Sequence, residues 1–416
     1  MAFRFLHLAD VHLDTHFGGR PRTRERLRSA THEAFGRAVD YALREGLHAV
    51  LIAGDLFDDP ILSLKTELEL VRHVERLTAA GVWVLYCCGN HDPGAHGRRA
   101  PSLGLERPSV ARGRVHLFRR TKPETVVITD PSGKQVGVVI GAGHGSDHES
   151  ANLAATFPRL DTELPVVGLL HTQIDTARAA EEHDRYAPSI PTDYAHAGYA
   201  YWALGHVHIR QQAVPDLPVW YSGNLQGRNP RERGPKGGLV VEAHPGGFAT
   251  PSFVPFAPVR WEQLEITDLE DLSSIGALAD LLQECIEAER QKGGEELALR
   301  LILKGPTPLA ARLKDAGERK QLEEHLIARG SALEVLLDTR AVRKPRDLEA
   351  LTAAPTVLQA VGDALAAIER GDLRVRDLPL APLANTPDED AEETYLKDLL
   401  IGLHEELIER CLEEDA

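Results

Sequence analysis

Short apolar runs alternate with helical segments over roughly the first 257 residues, and this alternation limits the possible folds. Runs such as AVLIAG and PVVGLL lack polar alternation, which is typical of strands covered on both faces. Helices are predicted at residues 24–45 and 64–77 from their apolar spacing. The predicted strands are residues 4–9, 49–53, 82–87, 126–129, 136–140, 166–170, 201–204, 219–222 and 238–242. The pattern predicts a layered α/β domain with loops available for chemistry at the carboxyl ends of its strands.

Two further regions follow this domain, which is predicted to span residues 1–257. Residues 258–342 alternate strand and helix again, which predicts a small α/β capping domain. Residues 343–416 are predicted to be a helical C-terminal region, interrupted by the Pro- and acid-rich linker LPLAPLANTPDEDAEE. A chain of 416 residues is long for one core, which agrees with several domains.

Composition limits the class of protein. With 43% hydrophobic and 26% charged residues, the balance is that of a soluble globular protein. The sequence shows neither an apolar stretch of about 20 residues nor a cationic leader, so we expect a cytoplasmic location without a membrane. The four cysteines have no CxxC spacing, which argues against a disulfide framework or zinc knuckle. The formal net charge of −16 argues against a simple electrostatic DNA binder, although a nuclease with local phosphate contacts remains possible.

Five short segments combine carboxylate, amide and imidazole side chains: ADVH, GD, GNHD, a single histidine and GHVH. Four follow a predicted strand directly, and ADVH closes the first strand. These residue types suit Mn²⁺, Fe²⁺ or Zn²⁺ without a thiolate. A lone histidine or a GD turn means little by itself. Five such segments at successive strand ends predict a metal site.

These segments resemble a known family. ADVH, AGDLFD, CGNHD, LLHT and GHVH are similar to the five motifs of the calcineurin-like metallophosphoesterases, and more narrowly to the SbcD branch of DNA-repair exonucleases. VWYSGNLQGRNPRERGPKGG, residues 219–238, resembles a segment typical of the bacterial YhaO group. The resemblance covers the first 257 residues by motif and the rest by domain order. It implies a layered calcineurin-like sandwich with a small α/β capping domain and a helical tail.

The resemblance also implies two divalent metal ions per subunit, with Mn²⁺ expected. One ion would bind Asp10, His12, Asp55 and His208. The other would bind Asp55, Asn90, His171 and His206, with Asp55 bridging.

His91 matches the family's catalytic histidine, which is thought to protonate the leaving group. An imidazole titrates near neutral pH and suits that role. Alternatively, His91 orients Asp55 or a water molecule. Some archaeal relatives carry histidine where this chain has Asp58, so no substrate-contacting role transfers to that position.

Two basic clusters adjoin the motif loops and are candidates for phosphate contact. The first follows ADVH, and the second lies in the segment that resembles the YhaO group. The first could equally be a solvated helix start. The predicted DNA-binding residues are Arg20, Arg22, Arg228, Arg231, Arg233 and Lys236.

The favoured function is a two-metal-ion DNA nuclease, with exonuclease and possible endonuclease activity, that processes DNA ends in double-strand break repair near the nucleoid. The alternatives are a metallophosphoesterase acting on small phosphodiesters or phosphoproteins, and an inactive scaffold for an ATPase. GNHD in place of GNHE and the absence of VDRG weigh against a phosphatase. The filled ligand positions weigh against the scaffold.

The resemblance further implies a homodimer and an SbcC-like coiled-coil ATPase as partner. Residues 64–77 are the candidate dimer contact, although their apolar face could simply cover the sheet. Residues 395–411 are predicted to form an amphipathic helix that docks on the ATPase. Packing on the preceding helix or on a dimer mate is the alternative for that helix.

Overall fold

The computed structural model describes residues 2–58, 62–94, 104–174 and 186–345, with a few residues between 363 and 374. The chain divides into two compact units. The first contains residues 1–262 and 293–298, and the second contains residues 263–292 and those from 299 onward. All five predicted metal-binding segments lie in the first unit.

Two six-stranded sheets form the frame of the first unit. Across the first sheet the order is β12 (Ser252–Pro255), β11 (Gly237–Ala243), β1 (Phe3–Leu8), β2 (Ala49–Ala53), β3 (Trp83–Cys87) and β4 (Val115–Phe118). The strands β1 to β4 are parallel to one another, and β11 pairs antiparallel with both β1 and β12. Helices α1 (Pro21–Arg44) and α2 (Leu64–Ala79) connect β1 to β2 and β2 to β3, and α3 (Pro108–Ala111) precedes β4.

Across the second sheet the order is β5 (Glu124–Thr129), β6 (Gln135–Gly141), β7 (Val166–His171), β8 (Tyr201–Gly205), β10 (Val219–Tyr221) and β9 (Gln211–Val214). The central strands β6, β7, β8 and β10 are parallel, whereas β5 and β9 run antiparallel to their neighbours. Helix α4 (Pro191–Ala197) and a 3₁₀ turn (Ala154–Thr156) lie between the strands in sequence.

The two sheets pack face to face. One buried cluster joins Phe5 and Leu51 of the first sheet to Val167 and Tyr201 of the second. A second cluster lies between the first sheet and helices α1 and α2, and a third lies between the second sheet and α4. Because both faces of each sheet are covered, a central strand can be apolar throughout, as in β2, where all five residues are buried. The predicted layered α/β architecture is confirmed.

Local details differ from the sequence prediction. Helix α1 begins at Pro21 rather than at residue 24. Proline fits the first helical turn because its missing N–H has no partner there in any case. Strands β4, β9 and β12 were not predicted, and each has only four residues. Such short strands form through pairing with their neighbours, which the local pattern does not show.

Residues 259–343 form a second sheet-and-helix region, with β13 (Val259–Ile266), α5 (Ile275–Arg290), β14 (Glu296–Pro306), α6 (Ala310–Lys314), α7 (Ala316–Ala328) and β15 (Glu334–Arg343). The three strands form one sheet in the order β13-β14-β15. Leu282 of α5 and Leu326 of α7 are fully buried. Between β14 and β15 the chain forms two helices, α6 and α7.

The predicted C-terminal helix, residues 395–411, and its linker lie outside the described residues. Among the helices that are described, none has the length and apolar character needed to cross a bilayer.

Candidate metal centre

The ends of parallel strands deliver the predicted ligands to one region of the first unit. Asp10 and His12 follow β1, Asp55 follows β2, and Asn90 follows β3. From the second sheet, His171 ends β7, and His206 and His208 follow β8. The carboxyl ends of parallel strands point the same way, so both sheets contribute loops to this edge.

The backbone is unusual at several of these positions. Asp10, His12 and Asp55 have φ angles of 48°, 52° and 48°, and that of His206 is 105°. Residues other than glycine rarely adopt positive φ angles, and those that do concentrate at functional sites. Hydrogen bonds between the loops hold the conformation, since the His12 N–H donates to the Asp55 carbonyl at 3.0 Å.

Two glycines permit close approach of the ligand loops. A Cβ on Gly89 would lie 2.2 Å from a carboxylate oxygen of Asp55, and one on Gly205 would lie 1.7 Å from the carbonyl oxygen of Ala53. Neither position has room for a side chain. These glycines therefore set the spacing of the ligand-bearing loops.

The first ligand group consists of Asp10, His12 and His208, all buried. The Nδ1 atoms of His12 and His208 contact Asp58 at 3.0 Å and Glu232 at 2.9 Å. If these Nδ1 atoms carry the ring protons, both Nε2 lone pairs face inward, 3.4 Å apart. Asp10 Oδ1 lies 3.7 Å from His208 Nε2. Two lone pairs facing each other beside a carboxylate fit a cation, and a carboxylate behind each ligating histidine is common at metal sites.

The second ligand group consists of Asp10, Asp55 and His171. His171 Nδ1 contacts the carbonyl oxygen of Ala53 at 2.9 Å and so carries the proton. Its Nε2 then faces Asn90 Oδ1 at 2.9 Å and Asp55 Oδ2 at 3.4 Å, both of them acceptors. Asp55 Oδ2 also lies 4.0 Å from His12 Nε2, so this carboxylate stands between the two groups.

His206 is placed differently from the other predicted ligands. Its backbone N–H donates to both carboxylate oxygens of Asp10 at 3.1 Å. Its Nε2 contacts Oε1 of the buried Gln173 at 3.0 Å, and it belongs to neither three-residue group. The structure thus brings six of the seven predicted ligands together. His206 lies beside them, with its N–H on Asp10 and its ring 5.2 Å from the ring of His171.

Burial dominates the electrostatics of the ligands. Burial raises the pKa of Asp10 well above its usual value, and the Asp55 charge raises it further. Burial also raises the pKa of Asp55. It lowers the pKa of His12 and of His171, which keeps both imidazoles neutral as metal ligation requires. Divalent cations would stabilise the ionised carboxylates, so the donor set fits such ions.

His91 lies next to these groups, and its Nδ1 is 3.0 Å from Asp58 Oδ1. This hydrogen bond raises the pKa of His91 to about 9. Burial pushes the pKa of Asp58 upward, but hydrogen bonds from His12 and His91 outweigh it, and the net shift is downward. One carboxylate therefore holds both a predicted ligand and the predicted proton donor.

Comparison with known proteins identifies the family. Residues 3–210 match the calcineurin-like phosphoesterase family, and residues 261–344 match the middle domain of metallophosphoesterase YhaO. The chain is 33% identical over 311 residues to the uncharacterized metallophosphoesterase YhaO of Bacillus subtilis. The matched stretch covers 73% of this chain and 72% of that protein. The chain belongs to the calcineurin-like phosphoesterase family. The predictions of a calcineurin-like fold and a metal-dependent hydrolase are confirmed.

Other relatives of this calcineurin-like phosphoesterase are named DNA double-strand break repair protein Mre11. The protein from Aeropyrum pernix is 33% identical over 229 residues, which is 53% of each chain. The protein from Methanopyrus kandleri is 25% identical over 422 residues, covering 97% of this chain and 83% of that protein. Membership of the SbcD branch stays a prediction.

Several residues of the phosphoesterase site were missed in the sequence. Glu232 contacts Nδ1 of His208, but its segment is rich in arginine and was interpreted only as a basic cluster. Asp92 was visible in GNHD, and its carboxylate accepts hydrogen bonds from the N–H groups of Gly89 and Leu56, both at 2.7 Å. Burial, and then the Asp55 charge, raise its pKa to about 6. The buried His144 contacts the carbonyl oxygen of His171 at 2.7 Å, and no local signal marks it.

The second basic cluster lines a cavity of about 600 Å³ whose wall includes His208. We call it the basic cavity, and its cationic residues are Arg210, Arg228, Arg231, Arg233 and Lys236. Among the described residues that form its wall, Glu232 is the only carboxylate. Arg231 and Arg233 are exposed, and neither pairs with a carboxylate in the described part of the chain.

The remaining predicted DNA contacts lie in different surroundings. Lys236 is buried, its Nζ donates to the His208 carbonyl oxygen at 3.0 Å, and burial lowers its pKa to about 8. Arg228 lies 3.8 Å from Asp58 and 3.4 Å from Glu232. Arg20 directly precedes α1 and Arg22 lies in its first turn, and neither lines the basic cavity.

Proposed function

We propose that this phosphoesterase is a two-metal-ion DNA nuclease that hydrolyses phosphodiester bonds during DNA end processing or double-strand break repair. The observation that carries the proposal is the basic cavity, which opens beside a predicted ligand in a chain of formal charge −16. Five cationic residues against one carboxylate attract a polyanion locally. Relatives named DNA double-strand break repair proteins support the same substrate.

Two divalent ions, with Mn²⁺ proposed, would be held by the predicted ligands. The residues are Asp10, His12, Asp55, Asn90, His171, His206 and His208. Bound ions of this kind offset the charge that develops on a reacting phosphate and activate water. Asp55 is proposed to serve both ions because its carboxylate lies between the two groups.

The chain's own residues would bind the strand and supply a proton. Arg231 and Arg233 are proposed to contact the DNA phosphates, and Arg228 to link that binding region to Asp58 and Glu232. His91, protonated below about pH 9 through its bond to Asp58, would donate its proton to the departing oxygen.

The test is hydrolysis of end-labelled single- and double-stranded DNA with Mn²⁺, compared with p-nitrophenyl phosphate mono- and diesters. We expect metal-dependent cleavage of DNA at protein concentrations that leave the monoester intact. Efficient hydrolysis of the monoester or a phosphopeptide without DNA cleavage would contradict the proposal and favour a phosphatase. Hydrolysis of small diesters alone would favour a small-molecule phosphodiesterase.

We also propose a homodimer formed through α2. The apolar residues of this helix separate into two sets. Leu70 and Leu77 are buried in the first unit, whereas Leu64 and Leu68 are 70% and 62% exposed and lie one turn apart. Exposed leucines at this spacing suit a helix–helix contact.

Solution scattering tests the dimer. Leu64→Glu with Leu68→Glu should convert a dimeric mass to a monomeric one. The control is Val127→Glu, a change at an exposed apolar residue of β5. A monomeric wild-type mass at micromolar concentration would contradict the dimer.

The tail partner is a separate proposal, because residues 388–416 lie outside the described residues. We propose that this segment docks on an SbcC-like coiled-coil ATPase. Deleting it should abolish co-purification with that ATPase and leave the manganese-dependent nuclease activity intact. A complex that survives the deletion would refute the docking role. We also propose that the domains divide after residues 257 and 342, that the protein is cytoplasmic and that it belongs to the SbcD branch.

A further inference from the structure

The basic cavity contains more than phosphate-binding charges. Its wall also includes Ile209, Arg210 and Phe253, all within the first unit. Ile209 directly follows the predicted ligand His208 and is 43% exposed, which is unusual for a large apolar side chain. Phe253 lies on β12, the edge strand of the first sheet, and is half-buried. The apolar groups therefore lie close in sequence or in space to the metal-ligand cluster.

Arg210 and Phe253 form a stacked pair. The guanidinium carbon of Arg210 lies 3.7 Å from the centre of the Phe253 ring. In the described part of the chain Arg210 has no carboxylate partner, and burial lowers its pKa. A guanidinium on a phenyl ring is a flat and weakly hydrated surface. We call these two residues the stacking pair.

The combination points to a particular ligand chemistry. Nucleobases stack on aromatic rings and on guanidinium planes, while unpaired arginines contact the phosphates between them. A cavity of about 600 Å³ is within the roughly 300–1,000 Å³ typical of ligand sites. Bases in a duplex are already stacked on each other, so only an unpaired base reaches such a surface without disrupting the helix.

We infer that the stacking pair binds an unpaired base of a single DNA strand next to the phosphate presented to the metal centre, while Arg231 and Arg233 bind the neighbouring phosphates. This inference rests on the proposed nuclease function and adds the substrate class: single strands or frayed ends. Stacking tolerates any base, because every base has a π-face. The site therefore selects for unpaired structure and not for sequence.

The experiment uses the full chain loaded with Mn²⁺ and phosphorothioate-linked strands, which resist cleavage during measurement. A 2-aminopurine is placed at successive positions, because its fluorescence is quenched by stacking. We expect quenching at one position, which Phe253→Ala and Arg210→Gln remove. Phe253→Ala should weaken strand binding about tenfold, the scale of one base–aromatic contact. An abasic residue at that position should weaken binding by the wild-type chain by the same factor. Wild type and Phe253→Ala should then bind the abasic strand with equal affinity.

Two further variants separate stacking from folding. Phe253→Tyr keeps the ring and should keep both the quenching and the affinity. Phe248→Ala removes an exposed phenylalanine of the first unit that does not line the basic cavity, and it should change neither quenching nor affinity. If Phe253→Ala unfolds the chain, Phe253→Leu replaces it, because leucine preserves apolar volume but offers no flat ring.

The outcomes distinguish the two proposals. Wild-type chain that binds no strand contradicts the nuclease function itself. A strand that binds with unchanged affinity after Phe253→Ala, or a weakening that persists with the abasic strand, overturns the stacking inference and leaves the nuclease standing. Quenching found only with ribose strands overturns the assignment to DNA.

Discussion

The metal-ligand cluster and the basic cavity share His208 but have opposite physical characters. The three ligands of the first group are buried, and carboxylates of Asp58 and Glu232 contact the Nδ1 atoms of its two histidines. In the cavity, Arg231 and Arg233 are exposed and have no carboxylate partner among the described residues. Buried hydrogen bonds thus hold the side chains of the cluster, whereas two arginines of the cavity stay available to an incoming anion.

The difference shows how one unit can separate reaction from binding. A change in the cluster should alter metal content and rate, because its atoms are close enough to share a cation. A change at Arg231 or Arg233 of the cavity should alter affinity and salt dependence, because these two charges are exposed to solvent. Variants in each region test whether this division holds.

The largest effect is expected from Asp55→Asn. Its carboxylate lies between both ligand groups, so the change should reduce bound Mn²⁺ at both sites. Cleavage should fall roughly 10⁴-fold or more, the scale seen when an essential catalytic group is removed. Elemental analysis and end-labelled DNA cleavage measure the two effects, with Asp161→Asn as an exposed control. Normal metal content with a normal rate would remove Asp55 from the site.

His91→Ala should keep its metal and lose activity. Removing a general acid slows reactions by about 10²- to 10⁴-fold. The decrease in rate should be much smaller for bis-p-nitrophenyl phosphate, because p-nitrophenolate leaves without a proton. Equal decreases on DNA and on this ester would exclude proton donation, and loss of bound metal would place His91 among the ligands.

Asp58→Asn should alter the pH profile of cleavage. Asp58 raises the pKa of His91 to about 9, so the protonated form persists below that pH and disappears above it. Without the carboxylate, the rate should begin to decline at a lower pH on the alkaline side, closer to the usual pKa of histidine. The rate should also fall about 10- to 100-fold, as for other groups that orient ligands. Metal content is measured in parallel, because Asp58 also contacts His12. An unmoved alkaline limb with normal metal content would contradict the proposed coupling.

A smaller effect than in the cluster is expected from Arg231→Gln with Arg233→Gln. The rate at saturating DNA should be nearly unchanged. The slope of the logarithm of the binding constant against the logarithm of salt concentration should become shallower by about two. Each arginine is proposed to neutralise one phosphate. Arg112→Gln with Arg159→Gln serves as the exposed control, since neither residue lines the cavity.

Arg20→Gln with Arg22→Gln sharpens the comparison further, because these predicted contacts lie at the start of α1, outside the cavity. Their effect on salt dependence should be smaller than that of the Arg231 and Arg233 pair. An equal effect would extend the DNA-binding surface to that helix.

Local patterns in the sequence predicted the layered architecture and the candidate ligands. A strand's apolar run and the polar residue that follows it are adjacent in the chain, so local patterns reveal both. Parallel strands then bring their ends to one edge whatever the details of packing, as Asp10 and Asp55 show. The start of α1 and the short strands β4, β9 and β12 were harder to predict, because their local sequence signals are weak and the strands depend on tertiary pairing.

The side chains that support the candidate site depend instead on how the two sheets pack. His12 and His208 are 196 positions apart, yet their Nε2 atoms lie 3.4 Å from each other. The contacts from Glu232 to His208 and from Asp58 to both His12 and His91 depend on how loops from two sheets meet. The stacking of Arg210 on Phe253 likewise joins the second sheet's loops to the first sheet's edge strand. Such contacts follow from strand order and sheet packing, which no periodic pattern in the sequence reveals.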